Sequence, residues 1–365
     1  MENTEIRRIT YQELRERVFD FLGDEFGPFS EYLTHNVIHT LLGNPSLTDY
    51  TKIAINLIVY DGTIVGRNML MPTKLKHGDR EYIIQSGGSY EVSEKYRGMG
   101  LGTLTFKEAI FNNDNNTYIG QLYSTTAISI VRKLGLIVFE LPSFYKLCRS
   151  HTILESKGLR GLPLKIGSAV ADGVIKVLDI PNRCKLNRLL KKYSVKEVGV
   201  IPEWVNDITL HDGHEYMEVH DAKWLQWCLD YKFTECSQDR QTFYAVCDKK
   251  GKPIGFFMTK VRFEEEQGQY KNIKRGTVVE WGSYNEEELD EIDLNLLAIY
   301  SFDSDIDNIT TVLSNPAYEQ RIKKLGFMRH GNYQMSIKPG NLDQENISDQ
   351  GKWRIRYGGC NTIVF

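Results

Sequence analysis

The sequence predicts an α/β protein built from two related halves. Three observations carry this prediction. In the first half, strand-like and helix-like runs follow one another in the order β-α-α-β-β-β-loop-α-β-α-β. A similar succession returns ~190 residues further on, which is the mark of an internal repeat. The segment Val92-Ser93-Glu94-Lys95-Tyr96-Arg97-Gly98-Met99-Gly100-Leu101-Gly102 stands where a strand-like run gives way to a helix-like one.

Each element has its own signal. Ile6 to Thr10 alternates as a short strand. Helical stretches follow from Tyr11 to about Phe26 and from Ser30 to Leu42. Ile53 to Tyr60 is rich in β-branched and aromatic residues, and Asp61-Gly62 then reads as a hairpin turn leading into Ile64 to Met71. Tyr82 to Val92 is the next strand and runs into the glycine segment. Leu101, Leu104, Phe106, Ala109 and Ile110 give the following residues a helical apolar face, which Asn112 to Asn116 breaks. Thr117 to Ser124 reads as a strand and Thr125 to Leu134 as a helix. Gly135 suits the left-handed residue that ends such a helix, and Leu136 to Phe139 opens one more strand.

The second half repeats much of this. Phe243 to Val246 and Pro253 to Met258 flank a turn, and Ile254-Gly255 echoes Val65-Gly66. Thr277 to Tyr284 is a strand whose Gly282-Ser283-Tyr284 matches Gly88-Ser89-Tyr90. Leu289 to Tyr300 is helical, Ile309 to Leu313 a strand, and Pro316 to Leu325 a helix. Lys324-Leu325-Gly326-Phe327 then repeats Lys133-Leu134-Gly135-Leu136. The expected division is a first domain over residues 1–150, a connection over 151–204, a second domain over 205–338 and a tail over 339–365 able to add a strand. The connection carries an amphipathic helix near Ala169 to Leu178 and a basic run from Arg183 to Lys192.

The glycine segment carries the chemistry. Glycine lets backbone approach a ligand closely, and amides at a helix N-terminus attract an anion. Arg97 adds a fixed positive charge. No Lys-Ser or Lys-Thr follows, as a Walker loop requires, and Thr103 stands where a dinucleotide fingerprint has its third glycine. What remains, Arg-x-x-Gly-x-Gly preceded by Val-x-x-x-Tyr, resembles motif A of the GNAT acetyltransferases, whose loop binds the pyrophosphate of acetyl-CoA. The element order is similar to the GNAT order, and Arg132-Lys133-Leu134-Gly135-Leu136 resembles the family's next signature. The second half has Asn285-Glu286-Glu287-Glu288-Leu289-Asp290-Glu291 at the corresponding point. Carboxylates there repel a pyrophosphate and no glycine allows close approach, so one cofactor site per chain is expected.

The resemblance implies two GNAT-like domains, each a mixed, mostly antiparallel sheet flanked by helices, the second degenerate. It implies acetyl-CoA as co-substrate and direct attack by an amine in a ternary complex. It places the pantetheine or thioester against Tyr90 to Val92 and the pyrophosphate against Arg97, Gly98, Met99, Gly100, Leu101, Gly102 and Thr103. A tyrosine general acid occurs four residues before the Gly-Phe glycine in many members. Val131 and Ile322 stand at those positions here, so Tyr123 and Ser124 are the proton donors to test. Glu91 is the candidate base, or Tyr90 positions a water. Tyr90 and Glu91 face opposite sides of a regular strand, unless a bulge intervenes.

Composition bounds the rest. The chain has 365 residues, 41% hydrophobic and 25% charged, with a net charge of −3. No global field draws it to nucleic acid or to an anionic membrane. No apolar run reaches the ~20 residues of a spanning helix, and Met1 to Glu5 does not read as a secretory signal. Six scattered cysteines fit a reducing cytoplasm. His35 and His39 stand one helical turn apart without a metalloprotease glutamate, and His211, His214 and His220 lie in a polar stretch, so no metal is expected. The expected partner is a small-molecule amine. The Asp221-Ala222-Lys223-Trp224-Leu225-Gln226-Trp227 segment resembles bacterial acyltransferases linked to cell-surface sugars, which puts an amino sugar first and an amino acid or polyamine second. A non-catalytic acyl-CoA-binding protein and a Fem-type aminoacyl transferase are the alternatives.

Overall fold

A computed structural model describes residues 3–17, 34–111, 117–121, 124–231, 236–340, 342 and 346–359. In chain order the first elements are β1 (Thr4–Thr10), α1 (Tyr11–Glu16), α2 (His35–Leu42), β2 (Ile53–Tyr60), β3 (Thr63–His77), β4 (Arg80–Val92), α3 (Leu101–Phe111), β5 (Tyr118–Gln121), α4 (Thr125–Lys133) and β6 (Ile137–Leu147). Next come α5 (His151–Ser156), α6 (Gly161–Leu178), α7 (Ile180–Lys192), β7 (Tyr193–Val198), α8 (Trp204–Leu210), β8 (Tyr216–Glu218) and α9 (Ala222–Asp230). The chain continues through β9 (Arg240–Asp248), β10 (Pro253–Gln267), β11 (Tyr270–Ser283), α10 (Glu291–Ile299), β12 (Asn308–Val312), α11 (Glu319–Lys324), β13 (Met328–Lys338) and β14 (Trp353–Arg354).

Two compact units result, and both are discontinuous in sequence. Unit 1 comprises Met1–Glu140, Gly213–Glu235 and Gln334–Phe365; unit 2 comprises Leu141–Asp212 and Cys236–Tyr333. The continuous segments suggested by the sequence do not follow these lines. Residues 151–204 are more than a connection: α5, α6, α7 and α8 belong to unit 2, and β7 pairs antiparallel with β9 there. Conversely, β8 and α9 pack in unit 1.

In unit 1, β1 to β4 form antiparallel neighbours, and β4 runs parallel to β5. The end of β13 pairs antiparallel with β5. The arms of β3 and β4 extend past the predicted Ile64–Met71 and Tyr82–Val92, because β8 pairs with Leu75, Lys76 and His77 and gives this end of β3 a backbone partner. Lys74 Nζ lies 2.9 Å from Asp221 Oδ2, and the His77 and Tyr216 rings stack at 4.5 Å. Among the described residues, the tail strand pairs through Trp353 and Arg354, parallel to β8, with Trp353 stacked on Tyr216. Helix α3 lies on one sheet face because Phe106, Ala109 and Ile110 pack with Leu70, Tyr118, Ile128, Val131 and Leu136 in one buried cluster.

Unit 2 has the same succession. Strands β9, β10 and β11 are antiparallel, β11 is parallel to β12, and the end of β6 pairs antiparallel with β12. The parallel ladders correspond position for position, Gln85–Tyr118 in unit 1 with Arg275–Asn308 in unit 2. Gly78 and Gly268 turn the long hairpins with the same φ of +57°. Gly135 and Gly326 end α4 and α11 at φ +80° and +87°, as the Lys-Leu-Gly match predicts. A Cβ at Gly66 would lie 3.1 Å from Glu91 O, and one at Gly255 would lie 2.8 Å from Gly282 O, so this pair also corresponds. The Gly-Ser-Tyr match does not. Gly88 pairs with Met69, whereas Gly282 pairs with Phe256 beside Gly255 and takes the place of Glu91. The two identical tripeptides therefore stand out of register.

Candidate functional site

The site is built where β4 leaves the sheet. Pairs Arg67–Glu91 and Met69–Gly88 leave Ser89 and Tyr90 on β4 opposite Asn68 alone on β3. This is a β-bulge, with Ser89 in the left-handed region at φ +53°. The parallel ladder with β5 ends at Gly87–Gly120, whereas β4 continues to Val92. The last turn of strand therefore departs from its parallel neighbour.

Beyond the bulge, the side chains alternate. Tyr90 points to the α3 face, stacked on Phe106 at 3.8 Å, with its hydroxyl 2.8 Å from that of Tyr118. Val92 lies on the same face, packed with Leu101, Ile58 and Val65. Glu91 points the other way and pairs with Arg67 at 3.3 Å. The Arg67 side chain is only 2% exposed, so this ion pair fixes the carboxylate of Glu91 at the edge of the core.

The loop is short and held at both ends. Ser93 N donates to Val65 O at 2.8 Å, and residues 94–96 make one 3-10 turn. Arg97 Nε donates to Val92 O at 3.1 Å, which folds the guanidinium back across the strand end. Gly98 and Gly100 have φ of +85° and +84°, a conformation that a Cβ disfavours. Gly100 O accepts from Leu104 N at 3.1 Å and so starts α3. Buried Leu101 anchors the helix start, while Met99 and Thr103 are exposed. The first-turn amides of Leu101, Gly102 and Thr103 have no acceptor within the helix, and the positive end of its dipole lies here. Lys95 and Arg97, both exposed, add cationic charge to the same loop. The residues present fit a diphosphate.

The remaining sequence candidates have these places. Ser124 is the N-cap of α4, its hydroxyl oxygen accepting from Ala127 N at 3.2 Å. Tyr123 lies outside the described residues. Among the described residues, no group of three or more His, Cys, Asp or Glu is placed to hold a metal ion. Five thiols are free there, and burial pushes that of Cys148 up to about 12, which keeps it protonated.

A second cluster has no signal in the sequence. On the sheet face away from α3, the Glu218 carboxylate accepts from Thr73 Oγ1 at 2.8 Å and from Gln121 Nε2 at 3.0 Å. His220 Nε2 stands 3.7 Å from the same carboxylate, whose side chain is 6% exposed. Gln121 is the last residue of β5, so this cluster lies at the end of the strand from which β4 departs. Glu218 is brought there by the pairing of β8 with β3, a contact between residues far apart in the chain.

In unit 2 the corresponding helix start is already occupied. Asp290 caps α10, its side chain accepting from Asp293 N at 2.9 Å and pairing with Arg321. Buried Glu291 accepts from Ser314 N at 3.0 Å and Ser314 Oγ at 3.1 Å. The adjoining loop lines a cleft of about 440 Å3 that includes Glu288 and Lys252. The Asp290 carboxylate satisfies one first-turn amide of α10, that of Asp293, and puts negative charge where an anion would otherwise bind.

No family model matches the chain, and no curated protein matches it. Solved structures do. A Saccharomyces cerevisiae N-myristoyltransferase with bound myristoyl-CoA and inhibitors is similar with a TM-score of 0.59 at 13% identity, covering 98% of this chain and 86% of that one. An Enterococcus faecalis protein described as a probable N-acyltransferase gives 0.51 at 12% identity, over 93% of this chain and 73% of that one. A GCN5-related N-acetyltransferase from Anabaena variabilis gives 0.50 at 11% identity, over the same shares. The chain has the fold of the GNAT superfamily.

Proposed function

We propose that unit 1 binds an acyl-CoA at the β4–α3 loop and transfers the acyl group to a primary amine of a small molecule. The observation that carries this reading is the junction itself. A bulged strand leaves its parallel neighbour, turns through left-handed Gly98 and Gly100, and enters a helix with open first-turn amides. The amides of Leu101, Gly102 and Thr103, with Lys95 and Arg97, suit the diphosphate. Backbone groups of Tyr90 to Val92, past the last β4–β5 pair, suit the pantetheine amides and the thioester oxygen. The fold shared with a myristoyltransferase solved with myristoyl-CoA supports this class of donor.

In the reaction the amine nitrogen bonds to the thioester carbonyl carbon and the carbon–sulfur bond breaks. The amine loses a proton and the leaving thiolate gains one, giving an amide and free CoA. Glu91 is the first candidate to receive the amine proton, directly or through water. Ser124 keeps a hydroxyl proton to donate while its oxygen caps α4, and Tyr123 is the alternative donor. The Glu218 carboxylate, held by Thr73 and Gln121, supplies negative charge for an acceptor ammonium. An amino sugar is our first choice of acceptor.

We read the acyl chain as short, acetyl first, and the packing supports this reading. A Cβ at Gly87 would lie 2.1 Å from Tyr118 Oη, so that ring already lies against β4. Tyr90 and Phe106 fill the neighbouring space. We place the protein in a reducing compartment such as the cytoplasm, which suits its free thiols. The test is thiol release from acetyl-, octanoyl- and myristoyl-CoA against a panel of amino sugars, amino acids and polyamines. Turnover with acetyl-CoA at least tenfold above octanoyl-CoA is expected. Preference for myristoyl-CoA overturns the short-chain reading, and binding without turnover of any amine favours a non-catalytic acyl-CoA-binding protein.

A further inference from the structure

Helix α6 exposes an apolar face that its own unit does not cover. Leu162, Ile166, Val170, Val174, Val177 and Leu178 are between 54% and 72% exposed. At 100° per residue they fill an arc of roughly 160° on one side of the helix. The opposite side holds buried Leu164 and Ser168, which seat α6 on unit 2. Exposed Lys165 and Lys176 lie together along one edge of the apolar arc.

The charge around this face is one-sided. From Lys157 to Lys192 the chain has nine Lys or Arg and two carboxylates, although the whole protein carries −3. Both carboxylates face inward. Asp172 accepts from Ser150 N and Oγ at 2.7 Å each. Asp179 accepts from Lys146 Nζ at 2.9 Å and from Asn182 Nδ2 at 3.0 Å. Arg183, Arg188, Lys191 and Lys192 on α7 remain exposed and basic.

We propose that the α6–α7 hairpin docks this face on an anionic lipid surface, with α6 lying in the plane of the membrane interface. An apolar arc edged by lysines matches such a surface, where branched side chains enter the acyl boundary and cations meet the headgroups. The helix does not span: it has one buried face, and no described helix is long and apolar enough to cross a membrane. A second copy fits poorly, because an isologous contact sets this basic segment against itself.

Co-sedimentation of the full chain with vesicles tests the proposal. The vesicles are phosphatidylcholine alone and phosphatidylcholine mixed with phosphatidylglycerol, each at low salt and at ~0.5 M salt, where screening is strong. The wild type is expected to bind the mixed vesicles at low salt at least tenfold more tightly than the neutral ones, and to be released by salt. The pair Val170→Asp/Val174→Asp and, separately, the pair Lys165→Glu/Lys176→Glu are each expected to weaken binding at least tenfold with unchanged circular dichroism and melting. Equal binding to both vesicles, binding to neither, or retained binding in both variants overturns the proposal. So does a wild-type dimer in sedimentation velocity that the valine pair abolishes while vesicles leave the protein in solution.

Discussion

Gly102→Ala separates a glycine required by packing from one required by a ligand. Gly102 lies in the first turn of α3 and is not left-handed. A Cβ there would meet nothing nearer than Ile130 Cδ1 and Val92 Cγ2, both at 4.0 Å. The methyl group is therefore accommodated without displacement. Alanine in a helix exceeds glycine by about 0.5–1 kcal/mol, which raises the melting temperature by about 1–4 °C for a unit of this size. The account gives Gly102 to the close approach of a diphosphate, so the same change weakens acetyl-CoA binding at least tenfold, or about 1.4 kcal/mol. Gly98→Ala is the control. Its Cβ also meets no atom within 4 Å, but φ is +85°. That strain costs about 1–2 kcal/mol. The two variants should thus shift stability in opposite directions and binding in the same direction. Thermal unfolding and calorimetric titration read both quantities. A Gly102→Ala protein that is more stable and binds acetyl-CoA as the wild type does would refute the reasoning.

Two further outcomes are expected. Asp179 titrates below the ordinary 3.8: burial pushes it up, but hydrogen bonds from Tyr300, Asn182 and Lys146 outweigh that. Its contribution is therefore full above pH ~4 and is lost as pH falls through the depressed folded value. Asp179 is only half-buried, so Asp179→Asn should cost about 1–3 kcal/mol at neutral pH and flatten the acid limb of a stability-against-pH curve; an unchanged acid limb contradicts this. Ser124→Ala should cost about 1 kcal/mol through the lost α4 cap. If Ser124 donates the leaving-group proton, kcat falls at least tenfold with KM little changed, whereas a cap alone leaves kcat within about twofold.

The loop from Val92 to Gly102 was legible because its requirements are local. Left-handed Gly98 and Gly100, followed at once by an apolar helix face, specify a strand-to-helix turn without reference to the rest of the chain. Gly135 and Gly326 were legible for the same reason. The bulge was not, since Ser89 at φ +53° breaks the usual preference of a residue that carries a Cβ. The full reach of β3 was hidden because its last residues depend on β8, which arrives through a pairing such as Leu75–Glu218 between distant parts of the chain. That same pairing delivers Glu218 to Gln121, so the second polar cluster was equally hidden. The period of α6 was visible over Ala169 to Leu178, but which face meets unit 2 is decided by Leu164 and Ser168 in the packed structure.

Calorimetric titration of acetyl-CoA into the wild-type chain and into Gly100→Glu tests the central claim most directly. Gly100 is left-handed and exposed at the start of α3, and glutamate adds both a Cβ and a negative charge at the anion site. The account predicts one site per chain in the wild type and none in the variant, with the fold of both retained by circular dichroism. Two sites would contradict the closed helix start of unit 2, and no binding by the wild type would contradict the acyl-CoA assignment itself.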